Sequence, residues 1–237
     1  TGVCSAAAIE LYKLFVKGEC VVTNARTAEM AKLTENASRD VSIAFANELS
    51  IICDKTNIDV WELISLANRH PRVNILQPGP GVGGHCIAVD PWFIVSSAPH
   101  DSKLIATARH VNDSKPSWVV EKIKLAIANT LITDSEKSAS ELKIACYGLA
   151  FKPNIDDLRE SPALSIAHQV INMHSGLVML VEPNISELPD NLNRASLVQF
   201  DVALSTADVH VLLVDHDEFK GRCPVTGGVI DTRGIWK

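Results

Sequence analysis

The feature that most constrains the fold is a change of pattern near residue 140. Before it, apolar residues recur at helical spacing. After it, short apolar runs alternate with polar turns and one clear helix at 162–174. The helical segments are 4–17, 27–55, 60–68 and about 101–133, and the strand-like runs are 142–148, 177–181, 209–214 and 228–231. Because strands that alternate with helices form parallel sheets, the sequence predicts an α/β protein with an all-helical first half and a doubly wound second half.

Three connecting segments complete this prediction. The run Glu19–Asn24 is strand-like, and the segment 71–91 is rich in proline and glycine, which indicates a backbone-specialised loop or a flexible linker. The polar stretch Thr133–Ser140 is the best boundary between two domains, which we predict at residues 1–134 and 135–237. Ligands of doubly wound sheets bind at the carboxyl ends of the strands.

Composition excludes several classes of function. The 237 residues carry a net charge of −6 without long like-charge runs, which argues against a general nucleic-acid binder or a binder of anionic membranes. No apolar run reaches the roughly 18 residues of a membrane span. The six cysteines form no CxxC pair and no zinc-ligand spacing, so no metal site is expected. Without a secretory signal, the reducing cytoplasm is the default location.

The strongest local signal is the run from Gly79 to Pro91, which contains Gly81, Gly83 and Gly84 and then Cys86. Glycines let a backbone approach a ligand closely and expose its N–H groups. A cysteine at the end of such a loop, entering a helix, has the setting of a nucleophilic thiol. On spacing alone, a Gly/Pro turn with an incidental cysteine explains the run equally well.

Two further blocks carry polar groups in suggestive places. Lys32, Asn36 and Arg39 share one helical face, which could hold an anionic or polyhydroxyl ligand, although a solvated face explains it too. The segment 148–162 follows the first strand of the second half, where a phosphate-binding loop would lie. It lacks GxGxxG, so a standard dinucleotide site is poorly supported, but Lys152 and Arg159 could still hold phosphates.

In this order, the blocks resemble the UDP-glucose/GDP-mannose dehydrogenase family over essentially the whole chain. The resemblance rests on four independent motifs: 28–33 with Asn36, then 70–72, then 83–86 with Asp90, then 148–152 with Asp157, Arg159 and 161–162. With His85 before the cysteine and Val89 before the aspartate, the run Gln77–Phe93 is most similar to the UDP-N-acetyl-D-mannosamine dehydrogenases. That branch makes UDP-N-acetyl-D-mannosaminuronate for surface polysaccharides of the enterobacterial common antigen type.

The resemblance implies a helical central and dimerisation domain followed by a Rossmann-like UDP-binding domain. It also implies two NAD-dependent oxidations of a sugar C6 alcohol, with Cys86 as the covalent nucleophile. Lys32 would be the acid/base or electrostatic partner, Asn36 would hold the reacting oxygen or a water, and Asp90 would orient the hydrolytic water. The implied UDP-sugar contacts are Arg39, His70, Arg72, Gln77, Gly79, Gly81, Gly83, Phe151, Lys152 and Arg233.

Three further expectations follow from the resemblance. Arg159 matches a position that contacts NAD, with an ion-pair arginine as the alternative. Arg72 matches an arginine that reaches into a neighbouring subunit, which implies a homodimer built on the long helices. The family's main NAD domain precedes the segment seen here, so we expect this chain to fold, to dimerise and to bind UDP-sugar, but not to turn over NAD.

Three other interpretations remain open at this stage. Another branch of the same family would act on UDP-GlcNAc, UDP-GalNAc or a GDP-sugar. The chain could instead be a non-catalytic sugar-nucleotide-binding or dimerisation module. A cysteine hydrolase that pairs Cys86 with His85 or a distant histidine is least supported, because adjacent residues seldom form a productive pair.

Overall fold

A computed structural model describes residues 1–236. The first half is helical, as predicted. Its helices are α1 (Gly2–Lys13), α2 (Ala25–Thr56), α3 (Val60–Ala67), α4 (Asp90–Ser97) and α5 (Lys103–Thr133). The side chain of Asn24 accepts from the Thr27 N–H at the start of α2, and Asp59 caps α3 in the same way.

Two predictions for the first half need correction. The run 19–24 forms no strand, because the described sheet is built entirely from the second half and offers these residues no partner strand. The predicted loop ends two residues early, at residue 89, since α4 begins at Asp90. Pro91 lies in the first turn of α4, where a missing N–H costs nothing.

The second half contains a five-stranded sheet, which confirms the α/β prediction. Its strands are β1 (Ile144–Tyr147), β2 (Val178–Val181), β3 (Ser196–Leu197), β4 (Val209–Leu212) and β5 (Gly228–Asp231). All pairings are parallel, and the strand order is β3-β2-β1-β4-β5. The connections contain α6 (Pro162–Met173), α7 (Phe200–Thr206) and 3-10 turns at Asp190–Leu192 and Asp217–Phe219.

The core of the second half is apolar on both faces of the sheet. One face packs against α6 and against α5, which contributes Val119, Val120 and Ile123 to the core. The other face packs against α7 and Trp236. Helix α5 therefore belongs to both halves: it packs along α2 and also covers the sheet. The domain division at residues 134/135 stays a prediction.

This topology places the predicted ligand-binding segments along one edge of the sheet. The segments that begin at Gly148, Glu182, Leu213 and Thr232 all leave the carboxyl ends of strands. In a parallel sheet these ends share one edge. The loop around residues 79–84 packs against that edge, since Gly84 N–H donates to the carbonyl of Glu160 over 3.3 Å.

Candidate functional site

Cys86 lies one helical turn before α4. Its carbonyl accepts from the N–H groups of Val89 and Asp90 over 3.0 and 2.8 Å, so a helical turn begins at the cysteine itself. The side chain is exposed, and the thiol is free. The predicted nucleophile therefore lies in an accessible position, with Asp90 one turn further along.

A single hydrogen bond joins this turn to α2. Asn36 Nδ2 donates to Asp90 Oδ2 over 2.5 Å, across 54 residues of sequence. Lys32 lies one turn before Asn36 on α2, and its ammonium contacts Glu35 over 3.2 Å. The four predicted catalytic residues thus occupy two helical turns that meet at the Asn36–Asp90 bond. Their individual roles stay predictions.

A cavity of about 370 Å³ opens where the loop of the first half meets the edge of the sheet. Its wall contains Ile87, the residue after Cys86, but none of the four predicted catalytic residues. It gathers most of the predicted substrate-binding residues: Arg39, Gln77, Gly79, Gly81, Gly83, Phe151, Lys152 and Arg233. The structure therefore brings together segments that are up to 194 residues apart, from Arg39 to Arg233.

Two predicted substrate contacts lie elsewhere. His70 and Arg72 are exposed, and neither lines this cavity. The Arg72 N–H donates to His70 Nδ1 over 3.3 Å, so the two residues form a local turn. A role for Arg72 in a neighbouring subunit's site stays a prediction.

Arg159, the predicted NAD contact, forms a forked ion pair. Its Nε and Nη2 donate to the two carboxylate oxygens of Asp157 over 2.9 and 2.7 Å. The hydrogen bond from this arginine lowers the pKa of Asp157 to about 2. This is the ion-pair arrangement that the sequence left open as the alternative, and a contact with NAD stays a prediction.

The glycines of the loop also allow close packing between the two halves. At Gly81, with φ of 147°, a β-carbon would lie 3.0 Å from the Pro162 ring. At Gly84, with φ of 81°, it would lie 3.1 Å from the ring of Phe151. A side chain at either position would therefore push the loop off the α/β half.

Gly79 is held by a buried side chain that the sequence did not single out. Its N–H donates to Asn47 Oδ1 over 2.9 Å, and Asn47 Nδ2 donates to Asn112 of α5 over 2.9 Å. On the cavity side, a β-carbon at Gly79 would lie 2.5 Å from Nη1 of Arg233. Arg233 in turn donates from Nε to Asp215 over 2.7 Å. The loop is thus anchored from both halves.

A larger cavity, of about 770 Å³, lies behind the same loop. Of the predicted site residues it contains only Gly79, so size does not identify the site here. Its wall includes Lys115, whose ammonium donates to Ser50 Oγ over 2.5 Å and lies 3.7 Å from the centre of the Trp118 ring. Burial lowers the pKa of Lys115 to about 7.

Residues 1–236 contain neither a cluster of metal-binding side chains nor a helix suited to a membrane. No group of three or more His, Cys, Asp or Glu side chains in that part of the chain is arranged to hold a metal ion. None of the helices there combines the length and the apolarity that a membrane crossing needs.

Two family models match the chain. The model of the UDP-glucose/GDP-mannose dehydrogenase family, central domain, covers residues 26–114. The model of the UDP binding domain of the same family covers residues 145–237. The first match includes the Asn36–Asp90 junction, and the second includes the edge of the sheet that completes the cavity.

Similar proteins carry the names of nucleotide-sugar dehydrogenases. The UDP-N-acetyl-D-mannosamine dehydrogenase of Salmonella typhi is 64% identical over 100% of this chain and 57% of its own length. The NDP-N-acetyl-D-galactosaminuronic acid dehydrogenase of Ralstonia nicotianae is 58% identical over 98% of this chain and 54% of its own length. The chain therefore spans somewhat more than half of the curated relatives that it matches.

A solved structure shares the fold. The UDP-D-ManNAc dehydrogenase from Pyrococcus horikoshii superposes with a TM-score of 0.82 and 36% sequence identity. The superposition covers 98% of this chain and 54% of that protein.

Proposed function

Because the chain belongs to the UDP-glucose/GDP-mannose dehydrogenase family, we propose that it supplies the catalytic thiol and the UDP-sugar cavity of an NAD-dependent UDP-N-acetyl-D-mannosamine 6-dehydrogenase. The observation that carries this proposal is a cavity that is lined by eight predicted substrate-binding residues and by Ile87, the residue after Cys86. The identity of 64% to a relative with that name supports the N-acetylmannosamine substrate.

The charges of the cavity suit a nucleotide sugar. Arg39 of α2 and Lys152 of the segment after β1 both line the wall and can bind the diphosphate as a fork and a point charge. Phe151 offers a flat apolar face, and the backbone of 77–83 offers peptide groups to the base or sugar. Asp215 neutralises Arg233, so that arginine serves as a hydrogen-bond donor more than as a free charge.

The α/β half does not fit a dinucleotide. The loop after β1 lacks GxGxxG, and its N–H groups at Leu149 and Ala150 already donate to the carboxylate of Glu182. NAD would supply the acceptor for two hydrides. Apart from the prediction for Arg159, we assign no described residue to hold it.

The residues around the Asn36–Asp90 bond would carry out the covalent step and the hydrolysis. The Cys86 sulfur, as a thiolate, would add to the carbon of the intermediate C6 aldehyde, and the carbonyl oxygen would become an alkoxide of a thiohemiacetal. Loss of the second hydride from this carbon to NAD would leave a thioester. Lys32 Nζ and the second hydrogen of Asn36 Nδ2 are the donors that can stabilise this oxygen. At the thioester stage, Asp90 would orient the water that releases the carboxylate, since one of its oxygens is already fixed by Asn36.

A homodimer is part of the proposal. The long helix α2 exposes Phe45 and Ile52 to solvent by 53% and 48%, and α3 exposes Leu66 by 56%. Large apolar side chains grouped on neighbouring helices favour a protein interface.

The six free thiols fit the reducing cytoplasm that the sequence predicts.

Replacement of the proposed nucleophile tests the function. In the full-length protein, Cys86→Ala should abolish NADH formation from UDP-ManNAc, while Cys223→Ala, which removes another exposed thiol, should leave the rate unchanged. UDP-GlcNAc and UDP-glucose should react more slowly than UDP-ManNAc. An unchanged rate in Cys86→Ala would contradict the covalent mechanism, and a preference for UDP-GlcNAc or UDP-glucose would reassign the substrate.

A further inference from the structure

Glu182 occupies a special position in the α/β half. In doubly wound sheets that bind dinucleotides, the loop after the first strand holds the pyrophosphate through backbone N–H groups. An acidic residue near the end of the second strand binds the ribose in such proteins. Here the loop after β1 is 148–152, and Glu182 directly follows β2.

The carboxylate of Glu182 faces the loop after β1 rather than the solvent. It is 96% buried, and its Oε2 accepts from the N–H groups of Leu149 and Ala150 over 2.7 and 3.2 Å. The same oxygen accepts from His216 Nε2 over 3.0 Å, and Oε1 accepts from the backbone and side chain of Asn184 over 3.2 Å. Burial alone would raise the pKa of Glu182, but the hydrogen bonds from His216 and Leu149 outweigh it and lower the pKa.

His216 completes this arrangement in a defined tautomer. Its Nδ1 accepts from the Asn154 N–H over 2.9 Å, so its proton lies on Nε2 and points at Glu182. Asn154 also exchanges two hydrogen bonds with Asp217, over 2.9 and 3.0 Å. Within the loop, the positions before and after Phe151 and Lys152 are therefore both anchored, at 149–150 and at 154.

We propose that Glu182 is an internal anion in the position of a phosphate, and that it positions Phe151 and Lys152 in the substrate cavity. Two N–H groups and an imidazole N–H converge on one buried carboxylate, which is the donor set of an anion site. Because this site is filled from within, the α/β half is closed to the pyrophosphate of a dinucleotide. That UDP is the ligand of the cavity rests on the proposed function. That Glu182 fills the anion site rests on the hydrogen bonds alone.

Removal and replacement of the anion test the proposal. Glu182→Ala leaves five donors, two of them from Asn184, facing a cavity the size of a carboxylate. The affinity of the chain for UDP should fall at least tenfold, and formate at tens of millimolar should restore most of it. In Glu182→Gln the side chain still fills the space, but its NH₂ group faces other hydrogen-bond donors. The affinity for UDP should therefore fall, and formate should not restore it because no cavity is left for it. Glu187→Ala, which changes an exposed carboxylate, should bind UDP normally.

Calorimetric titration of UDP, with and without formate, measures these affinities, and circular dichroism checks the fold of each variant. Normal UDP binding by Glu182→Ala, or a folded Glu182→Ala that formate does not rescue, would overturn the proposal.

Hydrogen exchange on the wild-type chain tests the proposal without any variant. The amides of Leu149 and Ala150 should be protected before UDP is added, and fast exchange there would overturn the proposal. Failure of the wild-type chain to bind UDP would instead count against the proposed function.

Discussion

The two halves of the molecule bury different kinds of side chain. Besides small apolar residues such as Ala44 and Ala108, α2 and α5 bury six polar or charged side chains: Asp40, Asn47 and Ser50 on one helix, and Arg109, Asn112 and Lys115 on the other. Around the sheet the buried residues are mostly Val, Ile, Leu and Ala. The stability of a polar interior depends on the direction of each hydrogen bond, whereas the stability of an apolar interior depends mainly on how well side-chain volumes fill the space. The helix that carries Lys32, Asn36 and Arg39 is therefore fixed in register by polar contacts.

The centre of the polar interior is an ion pair without access to solvent. Arg109 Nη1 donates to Asp40 Oδ1 over 2.5 Å, and Arg109 also pairs with Asp113. Asn112 donates to the same oxygen of Asp40 over 2.8 Å. Burial still raises the pKa of Asp40 despite these partners, so the pair holds the helices in one register at some cost in stability.

The largest expected effect is the loss of this pair. Arg109→Ala removes the main partner of a fully buried carboxylate, and the free energy of unfolding should fall by about 3–5 kcal/mol. Urea denaturation followed by circular dichroism measures it. Arg222→Ala, which breaks an exposed pair with Asp201, is the matched control and should unfold at the wild-type urea concentration. A loss of less than about 1 kcal/mol in Arg109→Ala would mean that the polar interior is as tolerant as a surface pair.

The next effect is a dependence of stability on pH that comes from Lys115 in the polar interior. The folded pKa of Lys115 is about 7, below the ordinary value of 10.5, so between these values the unfolded chain binds a proton that the folded chain does not. The contribution of Lys115 to stability should therefore rise with pH across this window, by at most about 1.4 kcal/mol per pH unit. Below about pH 7 both states are protonated and the contribution is constant.

Lys115→Met should remove this rise, whereas Lys124→Met, at an exposed position of the same helix, should keep it. Urea denaturation at several pH values between 6.5 and 10 is the measurement, and the difference between wild type and each variant isolates the lysine. Equal pH dependence in the wild type and Lys115→Met would show that the amine is not desolvated in solution.

The smallest effect concerns the apolar core. Ile166 of α6 is fully buried against the sheet, and Ile166→Val removes one methylene group without adding a polar atom. The free energy of unfolding should fall by about 1 kcal/mol. Thermal or urea denaturation measures it, with Val225→Ala at a 95% exposed position as the control. A loss as large as that of Arg109→Ala would remove the distinction between the two interiors.

This contrast also explains what could be predicted from the sequence. The runs that became β1, β2, β4 and β5 are apolar and are separated by turns, so their periodicity predicted the sheet. The two-residue β3 is too short to leave a pattern, and α7 follows it after a brief turn. The strand predicted at 19–24 was wrong because local composition cannot supply a neighbouring strand.

The interior between α2 and α5 left no usable signal. Asp40, Asn47 and Arg109 are buried, yet in sequence they have the residue types of a solvated helix face. For the candidate site, the cavity wall could be predicted because motifs along the whole chain resemble one family. Asn47 and Glu182 were not predicted, because each acts by accepting hydrogen bonds from backbone N–H groups of another segment, which the sequence does not show. The only sequence signal for Glu182 is an acidic residue at the end of a buried run.

The most direct test of the central claim is the reactivity of Cys86. The chain is treated with substoichiometric iodoacetamide, with and without UDP-ManNAc, and the labelled cysteines are identified by peptide mass spectrometry. Cys86 should react faster than Cys4 and Cys223, the other exposed thiols, and the nucleotide sugar should protect Cys86 alone. Labelling of Cys86 at the rate of Cys4 and Cys223, unaffected by UDP-ManNAc, would contradict the assignment of a nucleophile beside a substrate cavity.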